Sequence, residues 1–211
     1  AAGEFPPPDY VAAVLPAVEL HVEWAWRRLN GGSGSPRWPS AREAWLPEAW
    51  DPTVRSVEAI AVLRAELEAC LALAERCDAS GAVRLRFGGR AAELARALEH
   101  KYFDAAHGEY RDRGEDGRVV ARRTLAMFMP LLCENLEAAR RDALLDALGR
   151  WWDSTSRSFP AWERWPDDPA SPPVVPRLQA LIWAALAAYG GVRGPEWRER
   201  SAAVAAASWV Q

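Results

Sequence analysis

Apolar residues recur along most of this chain at intervals of three and four, the spacing that lines one face of a helix. Residues 10–29 place Val11, Val14, Leu15, Val18, Val22 and Ala25 on one stripe. A second stripe is Val57, Ile60, Ala61, Leu67, Leu71 and Ala74. Asp51-Pro52 ahead of it reads as a helix start, Asp capping and Pro in the first turn. Ala91, Leu94, Ala95 and Leu98 predict a third helix, and Leu125, Phe128, Met129 and Leu132 a fourth opened by Thr124. Leu144, Leu145, Leu148, Trp151 and Trp152 predict a fifth. Leu178, Leu181, Ile182, Ala185, Leu186 and Tyr189 predict a sixth, stopped by Gly190-Gly191. The last runs from Pro195 to Trp209. Strand alternation is nearly absent, so the expected fold is all-α with about seven helices. One small hairpin is the exception, Glu109-Tyr110-Arg111 against Arg118-Val119-Val120 around Glu115-Asp116-Gly117.

Three long connections interrupt the helices: residues 30–50, 104–123 and 153–176. Loops of that length in a helical domain are usually functional or disordered. Two of them carry Trp38, Trp45, Trp50, Trp162 and Trp165, out of 12 tryptophans in the chain. These rings either plug the ends of a helical bundle or form platforms around a cleft, where a sugar or another ring would stack.

Composition narrows the classes. The chain has 211 residues, half of them apolar and 26% charged, which suits one globular domain with a sizeable core. Residues 10–211 read as that domain, and residues 1–9 as a cloning remnant or disordered N-terminus. The formal charge is −3, and acids interleave with the basic residues throughout. A nucleic-acid surface needs uncompensated clusters, so that class is set aside. No apolar run approaches a membrane span, and no secretory signal opens the sequence. Cys70, Cys77 and Cys133 read as reduced core residues of a cytoplasmic protein. His21, His100 and His107 lack metal-ligand spacing, and neither a phosphate-binding Gly-Lys motif nor a Gly-x-Ser-x-Gly elbow occurs, so neither metal nor cofactor is expected.

Several segments, in order, resemble the catalytic (α/α)6 domain of trehalase-like glycosidases. That group includes processing α-glucosidases and the mannosylglycerate and glucosylglycerate hydrolases. The first is Leu15-Pro16 with His21 and Trp24, leading into Ser35-Pro36-Arg37-Trp38, where the family pattern reads Ser-Gly-x-Asp-Asn-Ser-Pro-Arg-Trp. Tyr102-Phe103-Asp104 with Gly108-Glu109-Tyr110 is similar to the family's Leu-Trp-Asp-Glu … Gly-Phe-Tyr hairpin. Arg123-Thr124-Leu125 with Phe128-Met129-Pro130-Leu131 is similar to its Ser-Leu … Phe-Leu-Pro-Leu helix. Asp167-Asp168-Pro169, then Leu181 to Gly190, resemble the segment near its last hairpins. The resemblance implies a partial (α/α)6 toroid, of which this chain supplies the later half. The open face would be covered by a partner chain or a second copy, as a homodimer.

Inverting glycosidases of this kind need two carboxylates about 6.5–9.5 Å apart. Anchored on Ser35-Pro36-Arg37-Trp38, Ser33 stands at the family's catalytic Asp and Gly34 at its Asn. A serine hydroxyl is no general acid at useful pKa. Val175-Pro176-Arg177 stands at the family's Trp-Arg-Gly, and the sequence given ends at Gln211 ahead of the segment that carries the family's base. The resemblance thus implies a domain whose ordinary hydrolysis is lost, with Glu23, Glu163 and Asp168 as candidate replacement carboxylates. Helix capping or solvation is the alternative for each. Arg37, Trp38, Trp24, Trp162, Trp165 and His21 are the candidate ligand-binding residues, a structural salt bridge being the alternative for Arg37. The leading expectation is an enzyme of small-molecule metabolism that cyclises, rearranges or eliminates with one acid or base. The alternatives are a non-catalytic carbohydrate- or partner-binding module, and a hydrolase with relocated carboxylates.

Overall fold

The structure, a computed structural model, describes residues 6–30, 35–44 and 50–151, with Ala180, Ile182 and Ala184. Helix α1 (Pro8–Asn30) begins with the proline in its first turn and Asp9 beside the N-terminal dipole, and it ends with Arg27 and Arg28 near the C-terminal one. Its buried stripe is Val11, Leu15, Val22, Ala25 and Leu29. Tyr10, Leu20 and Trp24 lie on the exposed side.

Helix α2 (Val57–Arg76) is the centre of the molecule and packs against α1, the rod described next and the 3-10 helix beyond it. Its first two turns, Val57 to Arg64, are buried on every face, the signature of a central helix. Its cap corrects the expectation of Asp51-Pro52. Ser56 is the N-cap, its hydroxyl accepting the Glu58 N–H at 3.0 Å, and the Asp112 carboxylate accepts the Val57 N–H at 2.8 Å. Asp51 is occupied elsewhere, accepting from the Thr53 N–H and hydroxyl at 2.8 and 2.7 Å in a turn before strand β1 (Val54–Arg55). An Asx turn closed by a neighbouring threonine competes with capping, and here it wins.

The third predicted helix is a longer rod. Helix α3 (Ser80–Val83), a π-helical turn (Arg84–Gly88), α4 (Gly89–Ala97) and a second π-helical turn (Leu98–Tyr102) follow without a break. Phe87, Leu94, Leu98 and Tyr102 point from it into the core. The rod ends in hairpin β2 (Phe103–Asp104) and β3 (Glu109–Tyr110). Strand β4 (Arg113–Gly114) then pairs antiparallel with β1.

The expected hairpin has the right turn and the wrong strands. Gly117, at φ +79°, closes the turn by donating to the Gly114 carbonyl, and Arg118 to Val120 face Asp112 to Gly114. Glu109 and Tyr110 instead pair backwards with Phe103 and Asp104, because Gly108, at φ +67°, makes an earlier turn under the Asp104 carbonyl. Leu125–Leu132, expected as an α-helix capped by Thr124, is a 3-10 helix in which Thr124 makes no side-chain cap bond. Seven of its eight residues are buried and Pro130 lacks an N–H, so no amphipathic face selects the α period.

Helix α5 (Ala138–Trp151) buries Leu144, Leu145, Ala147 and Leu148 and sets Trp151 edge-on to Phe128. The buried apolar residues of all these elements form one contiguous core, which Ile182 joins. Of the sixth predicted helix, Ala180, Ile182 and Ala184 are helical; the seventh lies outside the described residues. Cys70 and Cys133 are buried and Cys77 half-buried, all three as free thiols. Among the described residues no helix is long and apolar enough to cross a membrane.

Candidate ligand cleft

The loop after α1 folds back on the helix that precedes it. Arg37 N donates to the Leu29 carbonyl at 3.0 Å. Arg28 reaches both oxygens of Glu43, at 3.1 and 2.7 Å, a forked pair that fixes residues 35–44 in register. Trp38 is thereby laid against the core, and Trp50 Nε1 donates to its carbonyl at 3.0 Å. The Trp50 indole N–H thus ties the two ring-bearing positions together through the Trp38 backbone carbonyl.

Between them opens a cleft of ≈ 440 Å³, lined by Asn30, Arg37, Trp38, Trp50, Arg55 and Glu115, among others. That volume is in the range of small-molecule pockets, and its lining combines two aromatic rings with several charged groups. Arg37 spans its mouth, donating to the Pro52 carbonyl at 3.3 Å and lying 3.5 Å from Glu115. Arg55 comes from β1 and Glu115 from the turn after β4, so the β1–β4 pairing brings the two together.

Behind Trp38 and Trp50 a second space of ≈ 30 Å³ is bounded by Asp51, Glu58, Asp112 and Thr124. It holds a water or two and no sugar ring. Burial pushes the Asp112 carboxyl up to about 6, against the opposing pull of the Val57 N–H and Arg111. Asp51 is held below the usual carboxylate range, chiefly by the Thr53 hydroxyl.

The sequence-predicted residues divide into three groups. Arg37 and Trp38 lie together in the cleft, and the Glu115 contact gives Arg37 the salt bridge set out as its alternative. Glu23, Trp24 and His21 lie apart from it on α1. Glu23 is gripped by Arg90 at 2.6 Å and Arg27 at 3.1 Å, and the Arg90 hydrogen bond foremost lowers its pKa. So held, Glu23 is an ion-pair partner of Arg90 on the rod and of Arg27 on its own helix. His21 faces Glu66 at 3.5 Å, and Trp24 is 58% exposed. Glu163, Asp168, Trp162 and Trp165 lie outside the described residues. Trp50, Arg55, Asn30 and Glu115 are cleft residues that the candidate set lacked. Trp50 carried a signal, as a loop tryptophan. Glu115 carried none, since in sequence it belongs to a turn. No cluster of His, Cys, Asp and Glu suited to a metal occurs among the described residues.

Comparison with known proteins agrees with this architecture. The sequence profile of the mannosylglycerate hydrolase MGH1-like glycoside hydrolase domain matches residues 8–171. The fold is similar to that of the GH63 mannosylglycerate hydrolase of Thermus thermophilus crystallised with glucose, with a TM-score of 0.74 at 16% identity. The match covers 94% of this chain and 59% of that one, so the chain spans about three-fifths of its structural relative. An uncharacterised conserved protein from the same organism matches with a TM-score of 0.71 at 16% identity, over 95% of this chain and 62% of its own. No curated protein sequence matches. At such identities the structural likeness speaks for the fold alone.

Proposed function

The chain belongs to the mannosylglycerate hydrolase MGH1-like glycoside hydrolase domain family, and from that premise we propose that its cleft takes a sugar-like ligand and acts on it with a single acid or base. The observation that carries this reading is the cleft's lining. Two tryptophans, three arginines and an asparagine can stack on a ring and hydrogen-bond its hydroxyls, yet Glu115 is the one carboxylate among the described lining residues. Paired-carboxylate hydrolysis needs a second, across the sugar. The family resemblance points the same way, implying that Ser33 stands at the position of the family's acid. Glu115, exposed and steadied by Arg37, suits proton removal or return in a cyclisation, rearrangement or elimination.

Binding without turnover is the second reading. It is favoured by the same Arg37–Glu115 contact at 3.5 Å, which engages the carboxylate in an ion pair. Calorimetry and product analysis with trehalose, mannosylglycerate and glucosylglycerate separate the possibilities. The proposal expects saturable binding, with Glu115→Gln abolishing conversion and sparing affinity. Binding with no product from the wild-type protein selects the second reading. Release of free sugar at a rate untouched by Glu115→Gln would sink both and restore a hydrolase with relocated carboxylates.

A further inference from the structure

Of the five large apolar side chains that stand exposed among the described residues, three belong to one helix, α1. They are Tyr10, Leu20 and Trp24, which are 59%, 73% and 58% exposed. Ala13 and Ala17, also exposed, lie between them. At 3.6 residues per turn, positions 10, 13, 17, 20 and 24 fall within about 80° of helix surface. Steps of three and four that keep to one line are the spacing of a seam that meets another helix. The rest of α1 is already engaged. Val11, Leu15, Val22, Ala25 and Leu29 are buried, with α2 as the neighbouring helix, and Glu19 and Glu23 hold Arg86 and Arg90 of the rod. A contiguous apolar strip left in water beside two such contacts marks an interaction surface.

The order of residues along the seam says what covers it. Tyr10 stands seven residues before Ala17 and Trp24 seven after it, Ala13 four before and Leu20 three after. Two such helices laid antiparallel about a two-fold axis at Ala17 set each Tyr10 on the partner's Trp24. Each Leu20 then seats over the partner's Ala13 and Ala17, a knob over a hollow. The charges sort the same way. Asp9 and Arg27 are exposed on one flank of the seam near opposite ends of α1, Arg27 at 76%. Antiparallel pairing brings Asp9 of each copy beside the partner's Arg27 and opposes the helix dipoles, whereas parallel pairing sets like charge against like.

We propose that α1 is the interface through which two copies of this chain form an antiparallel, two-fold symmetric dimer. A patch that complements itself in shape and charge closes at two copies. From Tyr10 to Trp24 the seam is about 21 Å long. That is short for a permanent interface, so the dimer dissociates in the micromolar range. None of the seam residues lines the cleft between Trp38 and Trp50, so the dimer stands or falls apart from the function proposed above.

Sedimentation equilibrium of the full chain across the micromolar range tests it. A reversible monomer–dimer equilibrium is expected, weakened about tenfold or more by Leu20→Glu and by Trp24→Glu, since each puts a charge into the seam. Both side chains are exposed, so the variants fold, and thermal melts check that they do. Cysteine cross-linking reads the register, in a Cys77→Ser background that leaves only the buried Cys70 and Cys133. With helix axes 8–10 Å apart, the two Ala17 Cα atoms stand about 5 Å from each other, within disulfide reach. The two Ala13 Cα atoms stand more than about 10 Å apart. Ala17→Cys is therefore expected to give a disulfide-linked dimer on mild oxidation and Ala13→Cys to remain monomeric on a non-reducing gel. A chain that stays monomeric at every concentration leaves the seam to some other occupant and overturns the inference. So does a dimer unmoved by both glutamate substitutions, or one that cross-links through Ala13→Cys and not through Ala17→Cys.

Discussion

Arg64 sits 2% exposed in the middle of α2, with its Nε 2.8 Å from Glu68 and an Nη donating to the Asn135 carbonyl at 3.0 Å. The second oxygen of Glu68 accepts the Glu134 N–H at 3.0 Å. Together the pair joins α2 to the chain entering α5. Desolvating two ions offsets most of their attraction, so the pair adds little net stability, but removing one partner strands the other. Arg64→Ala is therefore expected to lower stability by about 3–5 kcal/mol in urea unfolding, and the double variant Arg64→Met/Glu68→Leu by much less. Asp112 carries a prediction of opposite kind. Its carboxyl is raised to about 6 in the folded protein, above the ordinary ~3.9 of an unfolded aspartate. The contribution of this group to stability is therefore full below the unfolded value and is lost as pH rises through about 6. Asp112→Asn keeps an acceptor for the Val57 N–H and removes the titration. The stability difference between the two proteins should change between about pH 4 and 6 and be flat on either side; a difference that does not move with pH would show the carboxyl to be unstrained.

At the scale of elements, what the sequence revealed follows from how one-sided each element is. α1 and the later turns of α2 have distinct wet and dry faces, so period alone located them. The 3-10 helix Leu125–Leu132 is apolar all round, and its period carries no information about which helix it forms. The hairpins fail for another reason. Strands of two residues are too short to alternate, and two glycine turns, at Gly108 and Gly117, compete for the same partner. Only backbone geometry decides between them. Gly117 has open space where a Cβ would stand, so Gly117→Ala isolates the strain of its positive φ. It should destabilise by about 1 kcal/mol, read as a lower thermal midpoint. Ser56→Ala should cost about 1 kcal/mol, at the lower end because Asp112 also serves the first turn of α2.

At the scale of the molecule, the core and the cleft are built from different parts. α2 is the hub to which α1, α4 and the 3-10 helix attach, whereas the cleft lies at the rim, where the loop after α1, β1 and the turn after β4 meet. This also explains which cleft residues a sequence can name. Arg37 and Trp38 are adjacent in a motif that resembles a known family. Glu115 and Arg55 reach the cleft only through the β1–β4 pairing, which joins segments far apart in the chain. The separation predicts a double dissociation. Leu67, wholly buried on α2, should lose about 2–5 kcal/mol of stability on change to Ala, with sugar affinity unaltered while the protein is folded. Trp50→Ala frees the Trp38 carbonyl and removes a cleft wall, so it should weaken sugar binding while shifting the urea midpoint little. Ligand linkage ties the two together. A sugar at about one hundred times its Kd adds about 2.7 kcal/mol to the folded state. That excess should recover much of the Leu67→Ala loss and far less stability in Trp50→Ala. Equal recovery in both variants would mean that the ligand sits elsewhere than between Trp38 and Trp50.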